Sequence, residues 1–415
     1  MIVSVVGMGY IGLPTAAVLA SKGVTVVGVD INQTTVNIIN QGKIHIVEPD
    51  LDVLVKNGVQ SGYLTASKKI EKANVFIIAV PTPFKENHVP DLSFIEAAVR
   101  SISAVLEKEN LVILESTSPV GTTEKMMEWM KEERPDLTFP VFGHSNLKHD
   151  ISIAHCPERV LPGRVLHELT NNKRIIGGVT SQCGENARDL YKKFVNADCL
   201  ITDCRTAELS KLVENSFRDV NIAFANELSL ICDQLDVNVW EMIKLANHHP
   251  RVNILQPGPR VGGHCIAVDP WFIVNSAPNE AKLIHTARIV NDSKPTFIIK
   301  KIEQVAKLVN KKRSEINIAC FGLSFKPNID DLRESPALEI AKKINTMNFN
   351  SVLIVEPHIS QLPDGFDKGS ELVSLEKAIE IVDIVVLLVD HKQFIDIDLN
   401  LLSEKQIVDS RGAWS

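Results

Sequence analysis

The sequence lacks the features that would place it in a membrane, on nucleic acid or on a secretion route. No uninterrupted apolar stretch reaches the roughly 18 residues that a spanning helix requires. The chain has 44 Lys and Arg against 51 Asp and Glu in 415 residues, with no basic block of the kind that nucleic-acid binding depends on. Its first residues show neither a basic segment nor a cleavage site. We therefore predict no export, no membrane insertion and no nucleic-acid partner.

Paired cysteines and metal-binding motifs are also missing. Seven cysteines, an odd number spread over the chain, are poor material for a disulfide framework in a protein of this length. There is no C-x-x-C pair, no H-E-x-x-H and no EF-hand pattern. We expect a cytoplasmic protein without a metal site.

Short apolar runs rich in β-branched residues alternate with helical patterns, which is typical of parallel α/β sheets. The predicted strands of the first half lie at 2–6, 24–29, 75–80, 111–115, 151–154, 174–176 and 200–202. After a charged stretch at 310–315, a second rhythm predicts strands at 316–321, 352–356, 384–389 and 407–408. Between them, residues 206–235 contain neither Gly nor Pro and predict one long helix. The pattern indicates two nucleotide-binding-type domains joined by that helix.

The long helix has a polar face and an apolar face when its residues are placed at about 100° intervals. The polar side carries Glu208, Lys211, Asn215, Arg218 and Asn226. The opposite side, predicted to face the core, carries Leu209, Val213, Phe217, Val220 and Phe224. Two interpretations of the polar stripe remain open. Either it is merely solvated, or a lysine and an asparagine one turn apart supply donors to developing negative charge.

A dinucleotide site is predicted where the first strand meets the first helix. The run Gly7-Met8-Gly9-Tyr10-Ile11-Gly12 allows a tight turn, close approach of a pyrophosphate and tight helix packing. Asp30 follows the second strand, 18 residues after Gly12, where a carboxylate can accept both ribose hydroxyls. No arginine follows it, which favours NAD over NADP. The alternative is a turn whose glycines serve packing alone.

A thiol lies in a loop rich in glycine. The order is Gly262-Gly263-His264-Cys265, and the two glycines allow a ligand to approach the backbone closely just before the cysteine. Asp269 is near enough in sequence to act on it, although an aspartate before a proline could simply start a turn. Most cysteines in a reducing compartment are small buried hydrophobes. Two interpretations of Cys265 therefore stay open, a functional thiol and an ordinary buried side chain.

Taken together, these motifs closely resemble the UDP-glucose/GDP-mannose dehydrogenase family over essentially the whole chain. The matching segments, in the family's order, are 7–12 with Asp30, 116–122, 156–163, 207–215, 262–269 and 322–327 with 333–335. The wording of segments 46–51, 217–222 and 249–255 resembles the branch that oxidises carbon 6 of UDP-N-acetyl-D-mannosamine to a carboxylate for surface polysaccharides. The same chemistry on UDP-N-acetylglucosamine or another UDP-hexose is the nearest alternative, and a non-catalytic nucleotide-sugar binding protein is a third.

The resemblance implies a four-electron oxidation that uses two NAD molecules in succession. Cys265 would capture the aldehyde as a thiohemiacetal, whose oxidation gives a thioester that water cleaves. Lys211 and Asn215 would stabilise oxyanions and orient the sugar oxygen. Water positioning and proton relay would fall to Glu158, Asp269 and Thr117, without a decision on which carboxylate activates the water.

Binding residues also follow from the resemblance. The implied cofactor contacts are Gly7, Gly9, Tyr10, Ile11, Gly12, Asp30, Pro81, Thr82, Thr117 and Arg333. The implied substrate contacts are Glu158, Arg159, Val160, Leu161, Lys211, Asn215, Arg218, His249, Arg251, Gly262, Phe325 and Lys326. His249 could equally be a surface imidazole at a helix end. Arg251 would reach the site of a neighbouring subunit in a homodimer.

The resemblance implies an α/β fold of two Rossmann-like doubly wound domains, joined by a long central helix in a helical dimerisation region. The predicted divisions are an NAD-binding domain at 1–203, a dimerisation region with the cysteine loop at 204–310, and a UDP-sugar-binding domain at 311–415. Two departures stand out. Val268 occupies the place of a lysine in the UDP-glucose branch, which makes UDP-glucose a less suitable substrate, and Arg260 replaces an expected glycine.

Overall fold

Two sheets and the helices between their strands make up the computed structural model, which describes residues 1–144, 147–160, 163–263, 266–366 and 369–414. The strands are β1 Ile2–Val6, β2 Thr25–Val29, β3 Leu64–Ser67, β4 Val75–Ile78, β5 Leu111–Leu114, β6 Ser152–His155, β7 Arg174–Gly178, β8 Cys199–Asp203, β9 Asn317–Phe321, β10 Ser351–Val355, β11 Ser370–Leu372, β12 Ile384–Leu387 and β13 Gln406–Asp409. The α-helices are α1 Gly12–Ser21, α2 Gln33–Asn40, α3 Leu51–Gln60, α4 Ser93–Ser103, α5 Thr122–Glu133, α6 Val165–Asn171, α7 Ser181–Tyr191, α8 Cys204–Gln234, α9 Val239–Ala246, α10 Asp269–Ser276, α11 Lys282–Ala306, α12 Pro336–Asn345, α13 Leu375–Ile381 and α14 Lys392–Ile395.

Within the described residues, strands β1 to β8 form one sheet in the order β3-β2-β1-β4-β5-β6-β7-β8, and β9 to β13 form a second in the order β11-β10-β9-β12-β13. The predicted α/β class with two such sheets is confirmed, and every predicted strand is present. Two strands escaped prediction, β3 and β11. Each is a short edge strand with a single neighbour, so it needs no continuous apolar run.

One pair of strands departs from the parallel pattern. β6 and β7 are antiparallel, with Ala154 opposite Gly178 and His155 opposite Gly177. β7 therefore starts at the edge of the sheet where β6 ends. No crossover to the other edge is needed, so the connecting segment after Cys156 begins and ends at the carboxyl edge of β6.

The central strands are buried on both faces. All four residues of β4 and all four of β5 are buried. Their side chains alternate between two apolar clusters, since Ile77 belongs to one cluster and Phe76 and Ile78 to the other. This two-sided burial explains why these strands read as unbroken apolar runs in the sequence.

The face that α8 buries is the reverse of the prediction. Most of the stripe expected in the core is exposed, with Phe217 at 67% and Phe224 at 50% exposure, whereas Val220 is half-buried. The polar residues Glu208, Asp219 and Asn226 are instead fully buried. Partners within the chain explain the reversal. Each of the three side chains makes hydrogen bonds inside the protein, which compensate for the loss of water on burial.

The chain forms two compact units. The first comprises Met1–Glu214 with Asn275–Ala277, and the second Asn215–Val274 with Pro278–Ser415. Each unit contains one of the two sheets. Among the described helices, none combines the length and apolar character needed to span a bilayer.

Candidate active site

The glycine turn after β1 contains two glycines that the backbone requires and one that borders open space. A Cβ on Gly7 would lie 2.6 Å from the carbonyl oxygen of Ala79, and one on Gly12 would lie 1.8 Å from the carbonyl oxygen of Gly7. A Cβ on Gly9 would meet no described atom within 4 Å. That space lies at the start of α1, where backbone N–H groups without helical partners attract a phosphate.

Asp30 reaches back from the end of β2 to the same turn. Its carboxylate accepts hydrogen bonds from the backbone N–H of Met8 at 3.1 Å and of Asn32 at 2.8 Å. Tyr10 is exposed and Ile11 is half-buried beside it. A carboxylate fixed here can accept ribose hydroxyls, and the next residue in the sequence is not a cation. The turn and the carboxylate therefore fit NAD.

Two loops meet at the carboxyl edge of the first sheet. The Thr82 hydroxyl, after β4, donates to the carbonyl oxygen of Thr117 at 2.6 Å, and the Ser116 hydroxyl donates to Val80 at 2.7 Å. Thr82 is buried, whereas Pro81 before it is exposed. The structure thus brings together two segments that were predicted separately to line the cofactor crevice.

Glu158 lies three residues beyond β6 and is 8% exposed. Its Oε1 accepts a hydrogen bond from the backbone N–H of Arg159 at 2.7 Å. The Arg159 guanidinium pairs with Glu214 at 2.6 Å. Val160 is half-buried and packs against the apolar core, while Leu161, another predicted substrate residue, lies outside the described residues.

Three charged or phenolic groups around Glu158 were not predicted as functional. The buried Arg174 guanidinium donates to Glu158 Oε2 at 2.5 Å and lies 3.6 Å from Glu115 Oε1. The Tyr191 hydroxyl donates to Glu115 at 2.6 Å. Burial raises the pKa of Glu115 to about 7. The one sequence signal for Arg174 was an arginine inside a strand-like run.

Glu48 fixes the far end of the same segment. Its two carboxylate oxygens accept from the backbone N–H groups of Gly163 at 2.8 Å and Val165 at 2.7 Å. Val165 is the first residue of α6, so Glu48 caps that helix from a distance. The segment that carries Glu158 is thereby held at both ends, and the quoted 46–51 motif has a structural reason.

Glu208 plays a similar part for α5. Its carboxylate accepts from the backbone N–H of Gly121 at 2.6 Å, and from the backbone N–H and hydroxyl of Thr123 at 2.8 and 2.6 Å. Burial raises the pKa of this carboxyl to about 7. Half-buried Lys211 follows one turn later on α8. The cap ties the helix that carries Lys211 to the loop that carries Thr117.

In the second unit, two predicted catalytic residues meet directly. The Asn215 side-chain amide donates to Asp269 Oδ2 at 2.6 Å. Asp269 is 3% exposed and begins α10. Cys265 and His264, which precede it, lie outside the described residues.

The glycines before the cysteine pack against a predicted substrate residue. A Cβ on Gly262 would lie 2.9 Å from Phe325 Cβ and 2.8 Å from Pro336 Cδ. Gly263, at φ +82°, would place a Cβ 3.0 Å from the Phe325 ring. Only glycine lets this loop approach the second sheet's own first turn so closely.

A buried amide on α8 anchors the start of the cysteine loop. Asn226 accepts from the Gly258 backbone N–H at 2.9 Å and donates to Asn291 at 2.8 Å. Asn291 in turn donates to Asp219, which pairs with buried Arg288 at 2.7 Å. These polar partners are the reason that Asp219 and Asn226 of α8 are buried.

The remaining predicted contacts are exposed side chains of the second unit. They are Arg218, His249, Arg251, Lys326 and Arg333. Arg333 pairs with Asp331 at 2.6 Å. Arg260 adopts φ 156°, a backbone conformation rare for residues other than glycine, and pairs with Glu339 at 2.9 Å.

The second sheet repeats the carboxylate arrangement of the first with one difference. Glu356 follows β10, and its carboxylate accepts from the backbone N–H of Leu323 at 2.7 Å and of His358 at 3.1 Å. Here a buried imidazole also contacts the carboxylate, since His391 Nε2 lies 3.1 Å from it. His391 Nδ1 accepts from the Asn328 backbone N–H at 2.9 Å, so Nε2 carries the proton and donates. Both ring nitrogens of His391 thus make hydrogen bonds within the protein, so the pair of Glu356 and His391 is poorly suited to bind a metal ion.

A glycine turn, an aspartate after the second strand and polar side chains at one sheet edge define the class of NAD-dependent oxidoreductases. Residues 1–195 match the NAD binding domain of the UDP-glucose/GDP-mannose dehydrogenase family, residues 205–293 its central domain and residues 319–415 its UDP binding domain. The chain belongs to that family. The expectations of an NAD cofactor, a dehydrogenase and a UDP-sugar ligand are thereby confirmed at the level of the family.

Individual relatives are similar over nearly their whole length. The chain is 60% identical over 398 residues to the UDP-N-acetyl-D-mannosamine dehydrogenase of Campylobacter jejuni, which covers 95% of this chain and 96% of that protein. It is 59% identical over 413 residues to the NDP-N-acetyl-D-galactosaminuronic acid dehydrogenase of Ralstonia nicotianae, covering 100% and 96%. The solved UDP-D-ManNAc dehydrogenase of Pyrococcus horikoshii superposes with a TM-score of 0.87 at 39% identity, covering 100% and 96%.

Proposed function

We propose that this protein oxidises carbon 6 of UDP-N-acetyl-D-mannosamine to the carboxylate, with NAD as oxidant. The Campylobacter jejuni relative supports this substrate by its name. The observation that carries the proposal is the 2.6 Å hydrogen bond between Asn215 and Asp269. Asp269 follows Cys265 by four residues in the sequence. A protein that only bound a nucleotide sugar would need neither the thiol nor this polar pair, whose aspartate is close to the thiol in the sequence.

The overall reaction balances with one water molecule. A primary alcohol, two NAD⁺ and water give a carboxylate, two NADH and three protons. Bound NAD supplies the hydride acceptor for each of the two oxidations. The Cys265 thiolate adds to the intermediate aldehyde, so that a carbon–sulfur bond forms and the second hydride leaves from the resulting thiohemiacetal. Water then adds to the thioester, the carbon–sulfur bond breaks and the thiol is restored.

The chain's own residues supply charge and proton handling. Lys211 and Asn215 donate hydrogen bonds to the oxygen on which negative charge develops in each addition step. Asp269 orients the Asn215 amide, because their hydrogen bond leaves the other amide hydrogen to the substrate. Glu158 accepts the proton of the attacking water, and Thr117 relays protons.

Binding of the nucleotide sugar is proposed to use both ends of the chain. Arg159, Val160, Leu161 and Arg218 contact the sugar side. Phe325, Gly262, Lys326 and Arg251 contact the nucleotide side, where cations suit a diphosphate. The division into an NAD-binding domain at 1–203, a central region at 204–310 and a UDP-sugar-binding domain at 311–415 assigns these tasks along the sequence.

We also propose a cytoplasmic homodimer. The exposed apolar stripe on α8 offers a second copy a surface of Leu209, Val213, Phe217, Phe224 and Ile231, each at least 42% exposed. Such a stripe favours burial between two chains. The exposed Arg251 would then complete the neighbouring chain's site. The cytoplasm supplies both NAD and UDP-sugars, and it suits a chain with seven cysteines.

A second substrate has specific support. The Ralstonia nicotianae relative, at 59% identity, is named for N-acetyl-D-galactosaminuronic acid. N-acetylgalactosamine and N-acetylmannosamine differ in configuration at carbons 2 and 4, and carbon 6 reacts identically. One or two hydrogen bonds to these positions decide between them.

The test is to measure NADH formed per sugar consumed by the purified protein. The protein is mixed with NAD and, separately, the UDP derivatives of N-acetylmannosamine, N-acetylgalactosamine, N-acetylglucosamine and glucose. Cys265→Ala is run alongside. We expect two NADH per UDP-N-acetylmannosamine in the wild type, and in the variant a reaction that is abolished or that stalls before the second NADH.

Each other result has a defined meaning. Two NADH from a different sugar would keep the mechanism and replace the substrate. A change of sugar configuration without net NADH would indicate an epimerase, because an epimerase returns the hydride. No NADH from any of the four sugars would favour the non-catalytic binding protein. Full activity of Cys265→Ala would remove the thioester route.

A further inference from the structure

The reversal of direction between β6 and β7 places an arginine beside Glu158. Ala154 lies opposite Gly178 and His155 opposite Gly177 in this antiparallel pair. Continuing that register by three residues brings Glu158 opposite Arg174, the first residue of β7. A parallel β7 would have started at the other edge of the sheet, so the topology itself creates this neighbour.

The Arg174 guanidinium is enclosed on several sides. One nitrogen donates to Glu158 Oε2 at 2.5 Å, and the other lies 3.6 Å from Glu115 Oε1 and 3.7 Å from Cys156 Sγ. The Tyr191 ring covers the guanidinium at 4.7 Å from its centroid. Arg174 is 5% exposed. With these neighbours the guanidinium cannot swing away from Glu158 without leaving a buried charge unpaired.

Both oxygens of the Glu158 carboxylate are fixed. Arg174 holds Oε2, and the backbone N–H of Arg159 holds Oε1 at 2.7 Å. Each oxygen keeps one lone pair for a further hydrogen bond. A carboxylate locked in this way has a single orientation in which to receive a proton from water.

We propose that Arg174 is a positioning residue for Glu158, and that it acts in the hydrolysis of the thioester rather than in the two hydride transfers. The proposal rests on the function proposed above. In this step the oxygen of water bonds to the thioester carbon and the carbon–sulfur bond breaks. One water proton passes to Glu158, and the sulfur leaves as thiolate. No oxidant or reductant is consumed.

Glu115 and Tyr191 complete the arrangement. Glu115 competes with Glu158 for the same guanidinium, but the Tyr191 hydroxyl and the Thr15 hydroxyl, at 2.6 and 3.4 Å, satisfy its oxygens separately. Burial raises the pKa of Glu115 to about 7, so near neutral pH its partial protonation leaves the positive charge to Glu158.

The experiment separates the chemical steps by rapid mixing. Arg174→Gln, Arg174→Lys and Glu158→Gln are each mixed with NAD and the UDP-sugar that the wild type oxidises. The NADH formed in the first turnover and in the steady state is recorded. Acid-quenched protein is weighed by mass spectrometry to detect sugar bound to Cys265. Arg134→Gln is the control, because Arg134 pairs with Asp136 and donates to the Leu106 carbonyl without a part in the site.

We expect Arg174→Gln to form two NADH per active site rapidly and then to slow by about 100-fold, the loss typical of a misplaced general base. Most of the protein should then carry a covalently bound sugar, as in Glu158→Gln. Arg174→Lys should recover part of the steady-state rate, since a lysine restores the charge but not the second nitrogen, which in Arg174 lies near Glu115 and Cys156. Arg134→Gln should show no accumulation even where its melting temperature falls.

Several results would overturn the inference. One is an Arg174→Gln whose first turnover and steady state slow by the same factor without bound sugar. A second is an Arg174→Lys that hydrolyses at the wild-type rate or no faster than Arg174→Gln. If Arg174→Gln does not fold, covalently bound sugar on Arg174→Lys supports the proposal and its absence refutes it. A wild type that makes no NADH would instead refute the proposed function itself.

Discussion

Removing the Glu208 carboxyl group, which links α8 to the start of α5, should lower the stability of the protein. Glu208→Ala leaves three donors without acceptors: the backbone N–H groups of Gly121 and Thr123 and the Thr123 hydroxyl. The side chain is fully buried, so water does not replace the carboxylate without rearrangement. Each unsatisfied buried donor costs about 1–3 kcal/mol.

The expected loss is smaller than the sum of these costs. Burial raises the pKa of Glu208 to about 7, so at pH 6 the carboxyl is mostly neutral, and hydrogen bonds to a neutral acceptor are weaker than those to a carboxylate. We expect a net destabilisation of about 4 kcal/mol at pH 6. For a unit of roughly 200 residues this corresponds to a fall in melting temperature of about 10 °C.

Thermal unfolding followed by circular dichroism at pH 6 provides the assay. Glu124→Ala is the matched control. Glu124 lies in the first turn of α5, the helix that Glu208 caps, but it pairs with the half-exposed Arg205. Its loss should cost under about 1 kcal/mol. If Glu208→Ala lowers the melting temperature no more than Glu124→Ala, the cap does not hold the two helices together and the reasoning fails.

Three further outcomes are expected. Gly9→Ala should raise the KM for NAD at an unchanged melting temperature. Gly12→Ala should lower the melting temperature, because a Cβ on residue 12 would lie 1.8 Å from a backbone oxygen. Equal melting temperatures of the two variants would contradict this difference. The pKa of Glu115 is about 7 in the folded state and near 4.5 when unfolded, so the folded state binds the extra proton and stability should fall from pH 5 to pH 8 by up to about 3 kcal/mol for this group. Melting curves of Glu115→Gln should show a shallower decline, and an unaltered slope would reject the assignment. Arg260→Gly should raise the free energy of unfolding in urea by about 1 kcal/mol by relieving φ 156°, and a decrease would mean that the ion pair with Glu339 matters more.

The strands could be predicted because burial on both faces leaves a plain signal in the sequence. β4 and β5 are continuous apolar runs, and both were found. β3 and β11 have polar residues at every second position or nearly so, as edge strands allow, and were missed. The antiparallel β7 could not be foreseen, because the residue pattern of a buried strand carries no direction.

The candidate site was predictable where a motif has a fixed local geometry. The glycine turn, Asp30 and the Thr82 and Thr117 loops belong to this kind. Glu48, Glu208 and Arg174 act through partners from 16 to 117 residues away in the sequence. A single sequence does not show such distant pairs. For the same reason the apolar stripe of α8 was predicted to face the core, whereas Phe217 and Phe224 are exposed.

The imidazole of His391 has a consequence for the order of events in the reaction. A carboxylate after the second strand can receive a ribose only while it is not already occupied, and His391 occupies Glu356. In the part of the chain that the structure describes, Asp30 alone has this position with the carboxylate turned to the glycine turn. On the route proposed above, one chain would then hold one nicotinamide at a time, and spent cofactor would be exchanged for fresh cofactor between the two oxidations. The proposed covalent bond to Cys265 would keep the half-oxidised sugar bound to the protein during that exchange.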